Sequence, residues 1–176
     1  MNFLLLIFLL QPQQLREPEQ LVSNFYNWYV NGGYRDMKPT FKELENGMTD
    51  MDFSKFNELH QRFNFYDQLV QKSRDIYQGC RDNLSQIKYK DFKTFQDLGQ
   101  FENISCSFQF YQWFGLGMDP YFYFELTGTK RISDNKYEIT VGLAYRKDDP
   151  LTKQIPVTVE LINDVWKMTN IDVSWK

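Results

Sequence analysis

Residues 136–146 read KYEITVGLAYR, with Tyr137, Ile139, Val141, Leu143 and Tyr145 at every second position against Lys136, Glu138, Thr140 and Arg146. Side chains of a strand point alternately to its two faces, so this pattern predicts one strand with a buried face and a solvated one. Upstream, the turn Ser133-Asp134-Asn135 joins it to a strand over Tyr121–Ile132. Before that, Ile104, Cys106, Phe108 and Phe110 alternate with Ser105, Ser107 and Gln109. Downstream, Asp148-Asp149-Pro150 reads as a turn, and Ile155, Val157, Val159 and Leu161 as a strand. Asn163-Asp164 is a two-residue turn able to take positive φ, so Val157–Ile162 and Val165–Val173 should pair as a tight hairpin. Pro156 removes a ladder donor, which places its end of the strand at a sheet edge or a bulge. From Ile104 to Val173 the chain therefore reads as a meander of strands.

The first hundred residues have a different period. Pro18 suits a helical first turn, and Glu17 and Glu19 sit where the helix dipole favours acids. Leu21, Val22, Phe25, Tyr26, Tyr29 and Val30 recur at three-to-four spacing until Asn31-Gly32-Gly33. A polar connection covers Tyr34–Asp52. Helical spacing resumes at Leu59, Phe63, Tyr66 and Val70 and continues through Leu69, Ile76, Tyr77, Cys80, Leu84 and Ile87. This predicts a short helix and a longer one ending near Gln86, with a break near Asn64. Helices followed by an antiparallel meander define an α+β fold, with N-terminal helices on one face of the sheet. The length suits one domain, over residues 15–176.

Residues 3–10, FLLLIFLL, form an apolar block too short to span a bilayer and of the length of a secretory signal core. We read residues 1–14 as a leader and the protein as periplasmic or secreted. The leader is atypical: no Lys or Arg precedes the block, and no small-residue cleavage site follows it. A packed N-terminal element in a cytoplasmic protein is the alternative. In an oxidising compartment Cys80 and Cys106 form the only disulfide the composition allows; otherwise they are two buried thiols. One histidine and no CxxC pair leave no zinc set. Twenty basic against 23 acidic residues, with no basic run, argue against nucleic acid as a partner. Aromatic residues make up 18% of the chain, so the core and any ligand cavity will be aromatic.

Motifs that carry chemistry are absent from the sequence: there is no GxSxG elbow and no glycine-rich phosphate loop. Asp50-Met51-Asp52 resembles the start of a calcium loop, but Lys55 and Gln61 occupy positions that need Gly and Glu. No metal or cofactor is expected. The weak acid-base candidates are His60, beside the apolar stripe of its helix, and Asp119, before Pro120 in a Gly-rich connection. Tyr111, Trp113, Tyr121 and Tyr123 surround that connection and are candidates to line a ligand-binding cavity, with core packing as the alternative.

Cys80 at the end of a Tyr-rich helix, Ile104-Ser105-Cys106-Ser107-Phe108, Tyr111-Gln112-Trp113, Gly117-Met118-Asp119-Pro120 and the closing Val165–Ile171 stretch resemble exported bacterial proteins grouped as domain of unknown function 3828. That group is similar to the nuclear transport factor 2-like superfamily. The resemblance, over residues 18–173, implies a cone of helices wrapped by a curved antiparallel sheet. It brings no substrate or catalytic residue. Three functions follow as expectations: a non-catalytic domain binding a small molecule or protein in an aromatic-lined concavity; a small isomerase-type enzyme using Asp119 or His60; and an inhibitor or immunity-type protein presenting Asp148-Asp149. The protein is expected to have no membrane span and to be a monomer or homodimer.

Overall fold

The computed structural model describes residues 15–37, 40–95, 100, 103–104, 106 and 121–173. Helix α1 spans Glu17–Val30 and starts where its acids and Pro18 predict. Its N-terminus is closed by the Glu19 carboxylate, which accepts both the Arg16 main-chain N–H (Oε2, 2.9 Å) and the Arg16 guanidinium (Oε1, 2.6 Å). Hydrogen bonding from Arg16, with a further bond from Thr129, outweighs burial and holds the Glu19 carboxyl down to about 2. The stabilisation is therefore complete above the ordinary glutamate range and is lost as the pH falls toward 2. Glu19→Gln should cost at most about 1 kcal/mol at pH 7, because Arg16 is half exposed and solvent screens the pair. Urea titrations at pH 7 and pH 3 check this: the gap between wild type and variant should narrow at pH 3, and an equal gap at both refutes it.

Gly32, at φ +108°, turns the chain out of α1 in a conformation that only glycine adopts cheaply. A 3₁₀ turn, Gly33–Met37, follows. The connection that reads as merely polar contains a hairpin, β1 Thr40–Glu43 paired with β2 Thr49–Asp52. Thr49 and Met51 point inward from β2 and are buried, which is what holds so polar a hairpin in place. Asp50 forms a two-pronged pair with Arg81 (3.0 and 3.1 Å), and Asp52 accepts the Ser54 N–H (2.9 Å). The residues that resemble a calcium loop are thus spent on an ion pair and a helix start.

Helix α2, Ser54–Arg62, ends at Asn64, whose φ of +49° marks the predicted break. The single longer helix expected beyond it is two: α3 Asp67–Asp75 and α4 Gln78–Leu84. At the joint the Tyr77 N–H bonds back three residues to Arg74 O (2.9 Å), a tight turn that leaves Ile76 exposed and carries Tyr77, Cys80 and Leu84 into the core. The apolar spacing survives such a joint, so periodicity alone does not reveal it. A last short helix, α5, spans Tyr89–Phe92.

The second half is an antiparallel sheet of β3 Tyr123–Ser133, β4 Lys136–Ala144, β5 Lys153–Ile162 and β6 Val165–Ile171, in sequence order. The last hairpin behaves as read: Asn163 and Asp164 both have positive φ (50° and 61°) between the facing residues Ile162 and Val165. The alternation of β4 buries Ile139, Val141 and Leu143 completely, in register with Val157, Ile155 and Lys153 of β5. Helix α1 lies across this face, contacting all four strands. The architecture is α+β, with helices on one side of a curved antiparallel sheet.

Pro156 sits on an interior strand, which differs from a simple edge position. At its level β6 has already ended: Val157 faces Ile171, the last residue of that strand, and Pro156 O accepts the Asp172 N–H (2.9 Å) just beyond it. The missing donor faces a gap in the ladder, so it costs little. On the other side of β6, Met168 is hydrogen-bonded to the α2–α3 link: its N–H donates to Asn64 O (3.0 Å) and its C=O accepts the Tyr66 N–H (2.9 Å). The strand expected from Ile104 is not found at its described residues. Ile104 lies in a turn and Cys106 has no regular structure; Phe108 and Phe110 lie outside the described residues. Cys80 and Cys106 are joined as a disulfide, and Asn83 Nδ2 donates to Ile104 O (3.0 Å) beside it.

Candidate functional site

Helix α1 has two working faces. Val22, Phe25, Tyr26 and Tyr29 are fully buried. Opposite them, Asn24, Asn27 and Asn31 fall at spacings of three and four and so form one line along the helix. This line borders an open groove of about 710 Å³, whose other residues include Leu21, Trp28, Asp36, Arg62 and Phe63. The volume is in the range of ligand-binding clefts.

The amides are ordered in part by one another. Asn31 Nδ2 donates to Asn27 O (2.7 Å) and Asn27 Oδ1 (3.1 Å), and Gln20 Nε2 donates to Asn24 Oδ1 (2.8 Å). Among the described residues this leaves the NH₂ groups of Asn24 and Asn27 and the carbonyl oxygen of Asn31 without a partner. The Arg62 guanidinium lies over the ring of Trp28 (5.6 Å to the centroid) and that of Phe63 (5.0 Å). It makes no ion pair or hydrogen bond among the described residues. Glu58, one turn back on α2, is instead 3.5 Å from Lys55. An arginine stacked on two rings keeps its N–H edge available for a planar acceptor.

Gly33 sets the position of Trp28. A Cβ at this glycine would run into the indole ring and stand 2.7 Å from Trp28 O. Gly33→Ala should therefore cost about 1–3 kcal/mol, the range of an overpacked core, and move the indole that supports Arg62. A melting temperature and tryptophan emission both unchanged would refute this.

The buried face of α1 carries a second unusual feature. Tyr26 and Tyr29 are fully buried, and among the described residues their hydroxyls have no hydrogen-bond partner. Burial raises both phenols far above their ordinary range, so each is a neutral donor at any physiological pH. Tyr26 packs on Phe124 of β3 (6.1 Å) and Tyr29 on Tyr34 (6.3 Å). Unsatisfied buried hydroxyls are uncommon and call for an explanation.

Of the residues singled out in the sequence, the described ones His60, Tyr121 and Tyr123 lie in different settings. His60 ends α2 as a clasp, with Nε2 3.1 Å from Asp67 Oδ1 at the start of α3. Tyr121 is buried and stacked on Tyr145 (5.1 Å), whereas the Tyr123 hydroxyl donates to Glu125 Oε2 (3.3 Å) on the outer face of β3. Tyr111, Trp113 and Asp119 lie outside the described residues. Asp148 and Asp149 occupy the β4–β5 turn, where the Asp149 N–H donates to Arg146 O (3.2 Å). Trp166 is partly buried with its edge toward Tyr137 (5.5 Å), a packing role on the last hairpin. Among the described residues no cluster of three or more potential metal ligands occurs, and no helix is long and apolar enough to cross a membrane.

Sequence reasoning missed the groove. Its trace was present, since Asn24, Trp28 and Asn31 share a side of α1, but a polar stripe on an amphipathic helix ordinarily means only solvent. Arg62 comes from another helix, and no local pattern connects the two. The chain matches no known family, no curated protein and no solved structure.

Proposed function

We propose that this protein is a non-catalytic binding domain and that its ligand occupies the groove between α1 and α2. The observation that carries this reading is Arg62, a cation over the rings of Trp28 and Phe63 with no acidic partner among the described residues, beside amides with open hydrogen-bonding capacity. The site supplies hydrogen bonds and charge but no nucleophile or acid-base pair. His60, tied to Asp67, is occupied as a clasp. The disulfide and the apolar leader support a periplasmic or secreted location. Membership of the exported group noted above, and a cone-like form of the α+β fold, fit the same picture. A fragment screen read by the side-chain amide resonances of Asn24, Asn27 and Asn31 tests the proposal. Ligands that shift these resonances support it. Ligands that shift only interior residues, or a turnover lost in His60→Gln, would defeat it.

The buried hydroxyls favour a second reading, an interior site of the isomerase type in which Tyr26 and Tyr29 donate to a bound oxygen. On that reading Tyr26→Phe should destabilise the loaded protein by about 1 kcal/mol. A gain in stability would mean that the hydroxyls have no partner and would remove it.

A further inference from the structure

Resting on the binding-domain reading, we infer that the ligand of the α1–α2 groove is an extended peptide segment carrying an acidic side chain. Its carboxylate meets Arg62, and its main chain runs along Asn24, Asn27 and Asn31. Charge is the first ground. The Arg62 guanidinium is exposed and has no acidic partner among the described residues, although Glu58 stands one helical turn away and pairs with Lys55. The Trp28 and Phe63 rings under the guanidinium restrict where it sits, and its fork of donors is complementary to a carboxylate.

The amide line supplies the second ground. A peptide group offers one donor and one acceptor at a regular interval, and a row of asparagine side chains offers the same two functions in return. The internal bonds from Gln20 and Asn31 consume the carbonyl oxygens of Asn24 and Asn27, so the row presents two donors and then one acceptor. From Asn24 to Asn31 the helix rises by about 10 Å. Three residues of extended chain cover the same distance. The third ground is exposure: the depression is open to solvent, where small molecules are ordinarily enclosed. Asp36, at the groove wall and 4.0 Å from Lys55, disfavours a second acidic group at that point.

The test uses full-length oxidised protein and four probes: the capped hexapeptides Ac-AAEAAA-NH₂, Ac-AAQAAA-NH₂ and Ac-AAKAAA-NH₂, and glutarate as a free carboxylate. Side-chain amide shifts of Asn24 and Asn27 and the Nε–H of Arg62 report binding. The Glu peptide should shift all three and bind about tenfold tighter than the Gln peptide, with the Lys peptide weakest. Arg62→Gln should reduce the Glu peptide to the level of the Gln peptide, while its far-ultraviolet spectrum and melting temperature verify the fold. Equal binding of Glu and Gln peptides, or glutarate binding as tightly as the Glu peptide, overturns the inference but leaves a binding groove in place. If a fragment screen shifts these same resonances while all three peptides fail, the peptide assignment alone is lost. If nothing shifts them, both readings fall.

Discussion

Truncating Phe25 to alanine should lower the free energy of unfolding by about 3–5 kcal/mol, a large part of the stability of a domain this size. Phe25 is fully buried and its ring meets those of Tyr26 (5.0 Å), Phe63 (5.2 Å), Phe65 (5.3 Å) and Trp28 (5.9 Å). Three of the contacts are edge-to-face, the arrangement that aromatic quadrupoles favour, so the loss exceeds the buried area alone. Phe65 belongs to the stretch hydrogen-bonded to β6, and Phe63 lines the groove. The cavity left by the truncation thus touches both the helix-to-sheet contact and the floor under Arg62. Urea unfolding of Phe25→Ala and Phe25→Leu separates volume from aromatic geometry, with Leu expected to cost roughly 2 kcal/mol. A loss below about 1 kcal/mol for the alanine variant would mean that the ring is not the hub of the core.

The double replacement Cys80→Ala/Cys106→Ala should cost about 3–4 kcal/mol by the chain-entropy model. The bond joins α4 to a residue 26 positions later, and without it the unfolded chain recovers the freedom of that loop. For a protein of this length the melting temperature should fall by roughly 10 °C. The urea m-value should rise, because the uncrosslinked unfolded state is more expanded. Reduced wild type should match the variant. Two freely alkylated thiols in the native oxidised protein would contradict the bond itself.

The sheet was legible because its signals are local and redundant. β4 alternates over nine residues, and Asn163-Asp164 admits few conformations other than the one adopted. α1 was legible from Pro18, its early acids and the glycines that follow it. The β1–β2 hairpin was not, since TFKE and TDMD are polar and short, and only burial of Thr49 and Met51 against distant residues gives them a reason to pair. The α3–α4 joint escaped because a three-residue hydrogen bond at Tyr77 preserves the apolar phase. Of the candidate site, the sequence carried the asparagine line but not its partner. Arg62 acquires its meaning from two rings, one adjacent and one on another helix.

The bonds between Met168 and the Asn64–Tyr66 link bear on how this chain behaves in a crowded solution. A bare outer strand is a template for any other extended chain, and β-rich proteins that leave one open tend to polymerise. Here the segment between two helices occupies part of the β6 rim, held by the left-handed backbone of Asn64. Because that rim is sealed by residues about a hundred positions upstream, it stays open until the helical half has docked. Slow docking, rather than low final stability, would then be the route by which variants in α2 or α3 become insoluble.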